Sequence, residues 1–320
     1  DQNLWEVKKF PESTELERRF PDKKVLLTRV DGHAVIVSSN VLKTIELNEN
    51  SKVAGGEIVL NAKGKPTGVL IDNAADLAKA AIPPMDKAQK INAMKQAQRN
   101  CFALGLTAVT DAGLDISSIE LIDSLQQAGV LKMKVNAMIN PDDETMEHFM
   151  SRGVIDKERL TVRSVKIYAD GALGSRGAKL IEPYADDPEN SGLILENEEF
   201  YDKVCEKSYK AGYQVCCHAI GDGGVRMILN EYGKFLKGEN DLRWRIEHSQ
   251  VVHPADLAMF KQYNIIPSVQ ATHCTSDMPW AEDRLGSDRI SSAYAYKTLL
   301  AQNGWLINGT DFPIEPLPPL

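Results

Sequence analysis

Tyr213-Gln214-Val215-Cys216-Cys217-His218, answered by Trp244-Arg245-Ile246-Glu247-His248, is a pair of apolar runs that each close on a histidine, thirty residues apart. The first run breaks into Gly221-Asp222-Gly223-Gly224, and a helix-length segment separates it from the second. Thirty residues is about one strand, loop, helix and loop, which places both histidines at the carboxyl ends of neighbouring parallel strands. Barrel enzymes keep their chemistry on that rim.

The same rhythm continues in both directions. Strand-like runs lie at 106–110, 133–139, 165–169, 214–218, 244–248, 266–270 and 305–309, with starts 22 to 49 residues apart. This spacing predicts a TIM-type (β/α)8 barrel over residues 74–320, with seven of its eight strands identifiable. A helix of mixed charge and alanine opens it, running from about Ala74 to Leu104-Gly105. Residues 1–73 read as a β-rich insertion: a short helix from Thr14, a hairpin turning near Asp31-Gly32, and short strands around Gly64-Lys65-Pro66.

Alternate strand residues share a face. Lys166, Tyr168 and Asp170 then point into the barrel mouth, as do Gln214, Cys216 and His218, Trp244, Ile246 and His248, and Trp305, Ile307, Gly309 and Asp311. Lys166, His218, His248 and Asp311 thus bring nitrogen and oxygen donors to one rim, which favours a metal site. Two neutral imidazoles suit zinc or a similar ion, and an aspartate beside them can both bind metal and shuttle protons. Lys166 is costly inside a barrel unless paired, coordinated or chemically changed. A salt bridge to Asp170 or to a neighbouring strand is one outcome; a desolvated, nucleophilic amine and reaction with carbon dioxide to a carbamate that bridges cations are others. His33, Asp170, Arg176 and His273 are candidates to contact substrate. The run Gly171-Ala172-Leu173-Gly174-Ser175-Arg176-Gly177 lacks the ending of a phosphate-binding loop and reads as a mobile loop. His148 and His253 read as structural.

Composition narrows the function classes. The 320 residues are 43% hydrophobic and 26% charged, with a net charge of -8, a mean hydropathy of -0.29 and a pI near 5.4. That balance suits a water-soluble globular protein and argues against nucleic acid or an anionic membrane as partner. Five cysteines without a CxxC pair read as reduced core thiols, consistent with a cytoplasmic setting.

The motifs Val165-Lys-Ile-Tyr-Ala-Asp-Gly, His218-Ala-Ile-Gly-Asp, Arg245-Ile-Glu-His, Thr275-Ser-Asp-Met-Pro-Trp and Gly309-Thr-Asp-Phe-Pro together resemble the amidohydrolase superfamily. The resemblance is closest to the subgroup that includes N-substituted formamide deformylases and exoenzyme regulatory proteins. It implies a distorted (β/α)8 barrel with one or two divalent metal ions, zinc first among them. Lys166 matches the carboxylated lysine of the fourth strand, His218 and His248 the ligands of the fifth and sixth, and Asp311 the catalytic aspartate of the eighth. Members carry a His-x-His pair at the end of the first strand, and none occurs in this chain. The chain is therefore expected to lack the first strand and a terminal β-sandwich, to form an incompletely closed barrel, and to hold metal weakly. The implied reaction is hydrolysis of a carbon-nitrogen bond in a small-molecule amide or formamide through metal-activated water, with homo-oligomerisation left open. The alternative is a non-catalytic regulatory or binding barrel that has lost the first-strand ligands.

Overall fold

A computed structural model describes residues 2–238 and 240–318. Near the amino terminus, strands β1 (Leu26–Thr28), β2 (Ala34–Val37), β3 (Gly56–Leu60) and β4 (Pro66–Asp72) form an antiparallel sheet in the order β1-β2-β4-β3. The β3–β4 turn closes on Asn61, whose side chain accepts from the Lys63 and Lys65 amides. One face of this sheet packs Val35, Val37 and Leu70 against Ala74, Ala75 and Ala78 of the helix Asn73–Ala80. That helix and Lys87–Ala103 replace the single long helix expected from Ala74 onward. Pro83-Pro84 breaks the run, and Asp86 restarts it with a capping box to Gln89.

The second sheet contains β5 (Ala108–Leu114), β6 (Lys134–Ile139), β7 (Ile155–Asp156), β8 (Leu160–Tyr168), β9 (Gln214–Ala219), β10 (Arg245–His248), β11 (Ile266–Val269) and β12 (Ile307–Asn308). Seven of these run parallel in the order β12-β11-β10-β9-β8-β6-β5, and β7, which the sequence did not signal, pairs antiparallel with β8. This is the curled, TIM-barrel-like sheet expected, with β5 and β12 at its two ends. The complete eight-stranded barrel is not formed: among the described residues no strand bridges β5 and β12. No helix among the described residues is long and apolar enough to cross a membrane. All five cysteines are free thiols, four of them buried.

The helix side of the sheet carries the main core: Val165, Ile167, Val215, Cys217, Trp244 and Ile246 interlock with Tyr201, Val204, Val225, Ile228 and Tyr232. Lys166 and His218 project to the opposite side, as period-2 alternation requires. On β10 the expectation fails. Trp244 and Ile246 are fully buried on the helix side, Trp244 donating its indole N–H to the Tyr213 carbonyl, and Arg245 and Glu247 face the barrel interior as an ion pair. His248 nonetheless reaches the interior because its backbone is left-handed, with φ of 74°, which breaks the alternation at the last residue of the strand. Asp311 likewise owes its position to a turn, not to strand register: β12 ends at Asn308, Trp305 is exposed, and Asp311 has φ of 54°.

The glycine-rich segment is not the mobile loop expected; residues 171–175 are buried. Its glycines make room for the Asp72 carboxylate, because a Cβ added at Gly171 or Gly177 would lie 2.2 or 2.3 Å from Asp72 Oδ2. The small sheet thus docks on the larger one through an acid in a glycine cradle. Gly177→Ala should overpack this joint and cost about 1–3 kcal/mol, read as a lower urea midpoint at unchanged slope; an unchanged midpoint would show that the cradle yields freely.

Candidate metal and substrate site

The carboxyl ends of the parallel strands, together with His33 and Asp72 from the small sheet, wall an open cavity of ≈ 1180 Å³. Four of the six histidines converge at its edge. The His218 ring lies 4.8 Å from His33 and 4.5 Å from His248, centroid to centroid, and His248 lies 6.0 Å from His273 in a nearly parallel stack. Three left-handed non-glycine residues, Asp72, His248 and Asp311, line this one cavity. Backbone strain of order 1–3 kcal/mol each persists where surrounding structure enforces it, and functional sites are where it collects.

Hydrogen bonds fix which nitrogen each ring offers. His248 Nδ1 meets Gln270 Oε1 at 2.7 Å and, with an acceptor there, must carry the proton, leaving Nε2 with its lone pair. His218 Nε2 meets the Gly171 carbonyl at 3.2 Å, which leaves Nδ1 as its donor atom. His33 Nδ1 meets Asp72 Oδ1 at 2.7 Å, and Asp72 Oδ2 has no hydrogen-bond partner among the described residues. His273 Nδ1 meets Glu315 Oε1 at 3.1 Å.

Protonation follows from burial and charge. Burial pushes His218 well below the ordinary imidazole range and takes His248 down to about 4, so both are neutral bases at pH 7. Burial alone would raise Asp311, but His273, His248 and Lys166 outweigh it and hold the carboxyl below its usual range. His273 and His33 are raised: desolvation opposes the charged form, and neighbouring carboxylates overcome it. Burial raises Asp72. Lys166 is buried, with its ammonium 4.0 Å from the centroid of the Tyr168 ring. Among the described residues no carboxylate pairs with it, and the salt bridge to Asp170 does not form. Two neutral imidazoles with pinned tautomers and an ionised aspartate are donor types that fit a divalent cation, whereas the Lys166 ammonium offers no lone pair and is not one of them.

Lys166, His218, His248, Asp311 and His33 therefore share the cavity as the sequence suggested. His273 sits just behind it on the helix Ala271–Ser276, where a loop was expected, with Nε2 3.8 Å from Asp311 Oδ2. Asp170 and Arg176, expected to touch substrate, are not among the residues lining the cavity. Asp170 is fully buried and accepts from the amides of Lys179, Ile220 and Gly221; burial raises it to about 7 against those three donors. Arg176 is drawn away to Asp186. His148 and His253 are local: one lies between Glu120 and Arg152, the other caps a helical turn. Gln270, Glu315 and Asp72 are site residues that motif reading missed. Asp72 alone had a signal, as an acid ending the apolar run Gly68-Val69-Leu70-Ile71.

A family model described as the amidohydrolase family matches residues 1–320. The chain belongs to the amidohydrolase family. It is 32% identical over 328 residues to the putative amidohydrolase YtcJ of Bacillus subtilis, covering 100% of this chain and 61% of that protein. It is 24% identical over 257 residues to an N-substituted formamide deformylase of Arthrobacter pascens, covering 75% and 46% respectively, in line with the subgroup the motifs resemble. An uncharacterized metal-dependent hydrolase of Pyrococcus horikoshii OT3 superposes with a TM-score of 0.76 at 27% identity over 99% of this chain and 62% of its own. The chain thus spans about three-fifths of the length of the first relatives it matches.

Because an unfolded chain protonates His248 below about 6.5 and the folded chain resists until about 4, the buried imidazole adds stability that is complete above pH 6.5. That contribution is lost as pH falls through this window. Between pH 7 and pH 5 the metal-free protein should lose about 2 kcal/mol through this residue, so urea unfolding of His248→Gln should fall less steeply with acid than wild type. Identical pH slopes would contradict a neutral buried His248.

Proposed function

We propose that the protein is a metal-dependent hydrolase of a carbon-nitrogen bond, in a small amide or formamide. The observation that carries this reading is the convergence of His218, His248, Asp311 and Lys166 on one cavity with the two ring tautomers pinned. His218 through Nδ1, His248 through Nε2 and a carboxylate oxygen of Asp311 would hold a divalent ion, zinc by donor preference, and Lys166 would join them only as a carbamate. Such an ion polarises a carbonyl and lowers the pKa of water.

The chain's own groups supply the rest. Asp311, held ionised, accepts a proton from the attacking water and returns it to the leaving amine nitrogen, so the amide and one water become a carboxylic acid and an amine. Gln270 and the Gly171 carbonyl keep the two imidazoles in the orientation and tautomer that ligation needs. His33, aimed by Asp72 from the small sheet, faces the same cavity and is placed to contact the substrate.

Asp311→Asn should keep most of the zinc and lower turnover of a simple N-formyl or N-acyl amine by roughly a hundredfold to ten-thousandfold, at the upper end if the carboxylate also aligns the water. His218→Ala and His248→Ala should lose both metal and turnover. Near wild-type turnover by Asp311→Asn, measured beside metal content, would remove the assignment of Asp311 and the hydrolytic mechanism built on it.

A further inference from the structure

His273 has no role in the reading above, yet it is held as carefully as the residues that do. It lies on the short helix that leaves β11, 6% exposed, with its Nδ1 fixed by Glu315, and Glu315 is steadied in turn by the Ser276 hydroxyl at 2.5 Å. With Nδ1 committed to a carboxylate, Nε2 is the atom left to act, and it points toward Asp311. The separation from Asp311 Oδ2, 3.8 Å, is too long for a hydrogen bond. It is a natural distance for two donors of one cation, since donors at about 2.0–2.1 Å from an ion lie up to about 4.2 Å apart. Ligand atoms of His248, His273 and Asp311 all fall within 4.8 Å of one another, a grouping that could hold one ion.

We propose that His273, oriented by Glu315, ligates a divalent transition-metal ion together with His248 and Asp311, giving this chain a three-donor site of its own. The inference rests on the metal-site reading: it keeps His248 and Asp311 as donors and names His273 as the third, with one orienting acid. Two imidazole nitrogens and a carboxylate oxygen form a set that suits zinc, and three protein donors leave a position open. His248 and Asp311 line the cavity and His273 does not, so the open position faces the cavity, where substrate arrives. The surroundings favour a cation as well: Asp277, Asp311 and Glu315 all crowd the His273 ring. The orienting pair repeats what Gln270 does for His248, a fixed acceptor on the far nitrogen of a ligand ring.

The test is zinc alone titrated into the purified protein by calorimetry, with cobalt as a spectroscopic stand-in whose visible absorption reports the ligand set. His273→Ala should weaken zinc at least a hundredfold and alter the cobalt spectrum. Glu315→Gln, which keeps the packing, should weaken it by roughly ten- to a hundredfold. Thr275→Ala, exposed on the same helix, should change neither, and near-ultraviolet circular dichroism checks that each variant is folded. If wild type binds zinc and folded His273→Ala and Glu315→Gln bind it equally with an unchanged cobalt spectrum, the inference is overturned and the hydrolase reading stands. If wild type binds no zinc at all, both fall.

Discussion

The site depends on a single turn of backbone at the end of β10. With ordinary strand geometry His248 would follow Trp244 and Ile246 into the apolar layer between sheet and helices, and the cavity would lose its central donor. The left-handed φ at His248 instead swings the imidazole to the other side, where it lies against the His218 ring and accepts no competing partner on Nε2. A histidine pays a steric cost in that region, one that surrounding contacts must over-determine. Trp244 anchored at the Tyr213 carbonyl below and Gln270 gripping Nδ1 above provide that enforcement.

The other donors are held by the same device in different forms: each ring near the cavity has one nitrogen committed to a fixed acceptor. Those acceptors come from four separate places, the glycine-rich segment for His218, β11's end for His248, the post-β12 segment for His273 and the small sheet for His33. The antiparallel sheet is therefore more than an appendage. Its Asp72 is buried in a cradle of Gly171 and Gly177, and the segment those glycines belong to supplies the carbonyl that orients His218. Position of the small sheet and tautomer of the His218 ring are thus mechanically linked.

Much of this was legible from one chain. Strand positions followed from apolar runs at unit spacing, and Lys166, His218 and Asp311 followed from their place at or beyond strand ends. The break at Pro83-Pro84 was missed, although a proline pair ends a helix and the signal stood in the sequence. Other features were not legible, for physical reasons. Alternation assigned β10's faces wrongly because it presumes extended backbone through the last residue. Asp170 shares a face with Lys166 on paper, but three amides from other segments capture its carboxylate and remove it from the cavity. Gln270 and Glu315 carry no motif, and their meaning comes only from what they touch across the fold.

The proposal to be tested is that one divalent ion is shared by His248 Nε2 and a carboxylate oxygen of Asp311, the two donors common to every reading of the site. Anomalous diffraction at the zinc edge, from crystals of the protein equilibrated with zinc, tests it most directly. The account predicts a peak at about 2.0–2.2 Å from those atoms, with Gln270 still bonded to His248 Nδ1. A peak elsewhere on the chain, or coordination through His248 Nδ1 with Gln270 displaced, would contradict it.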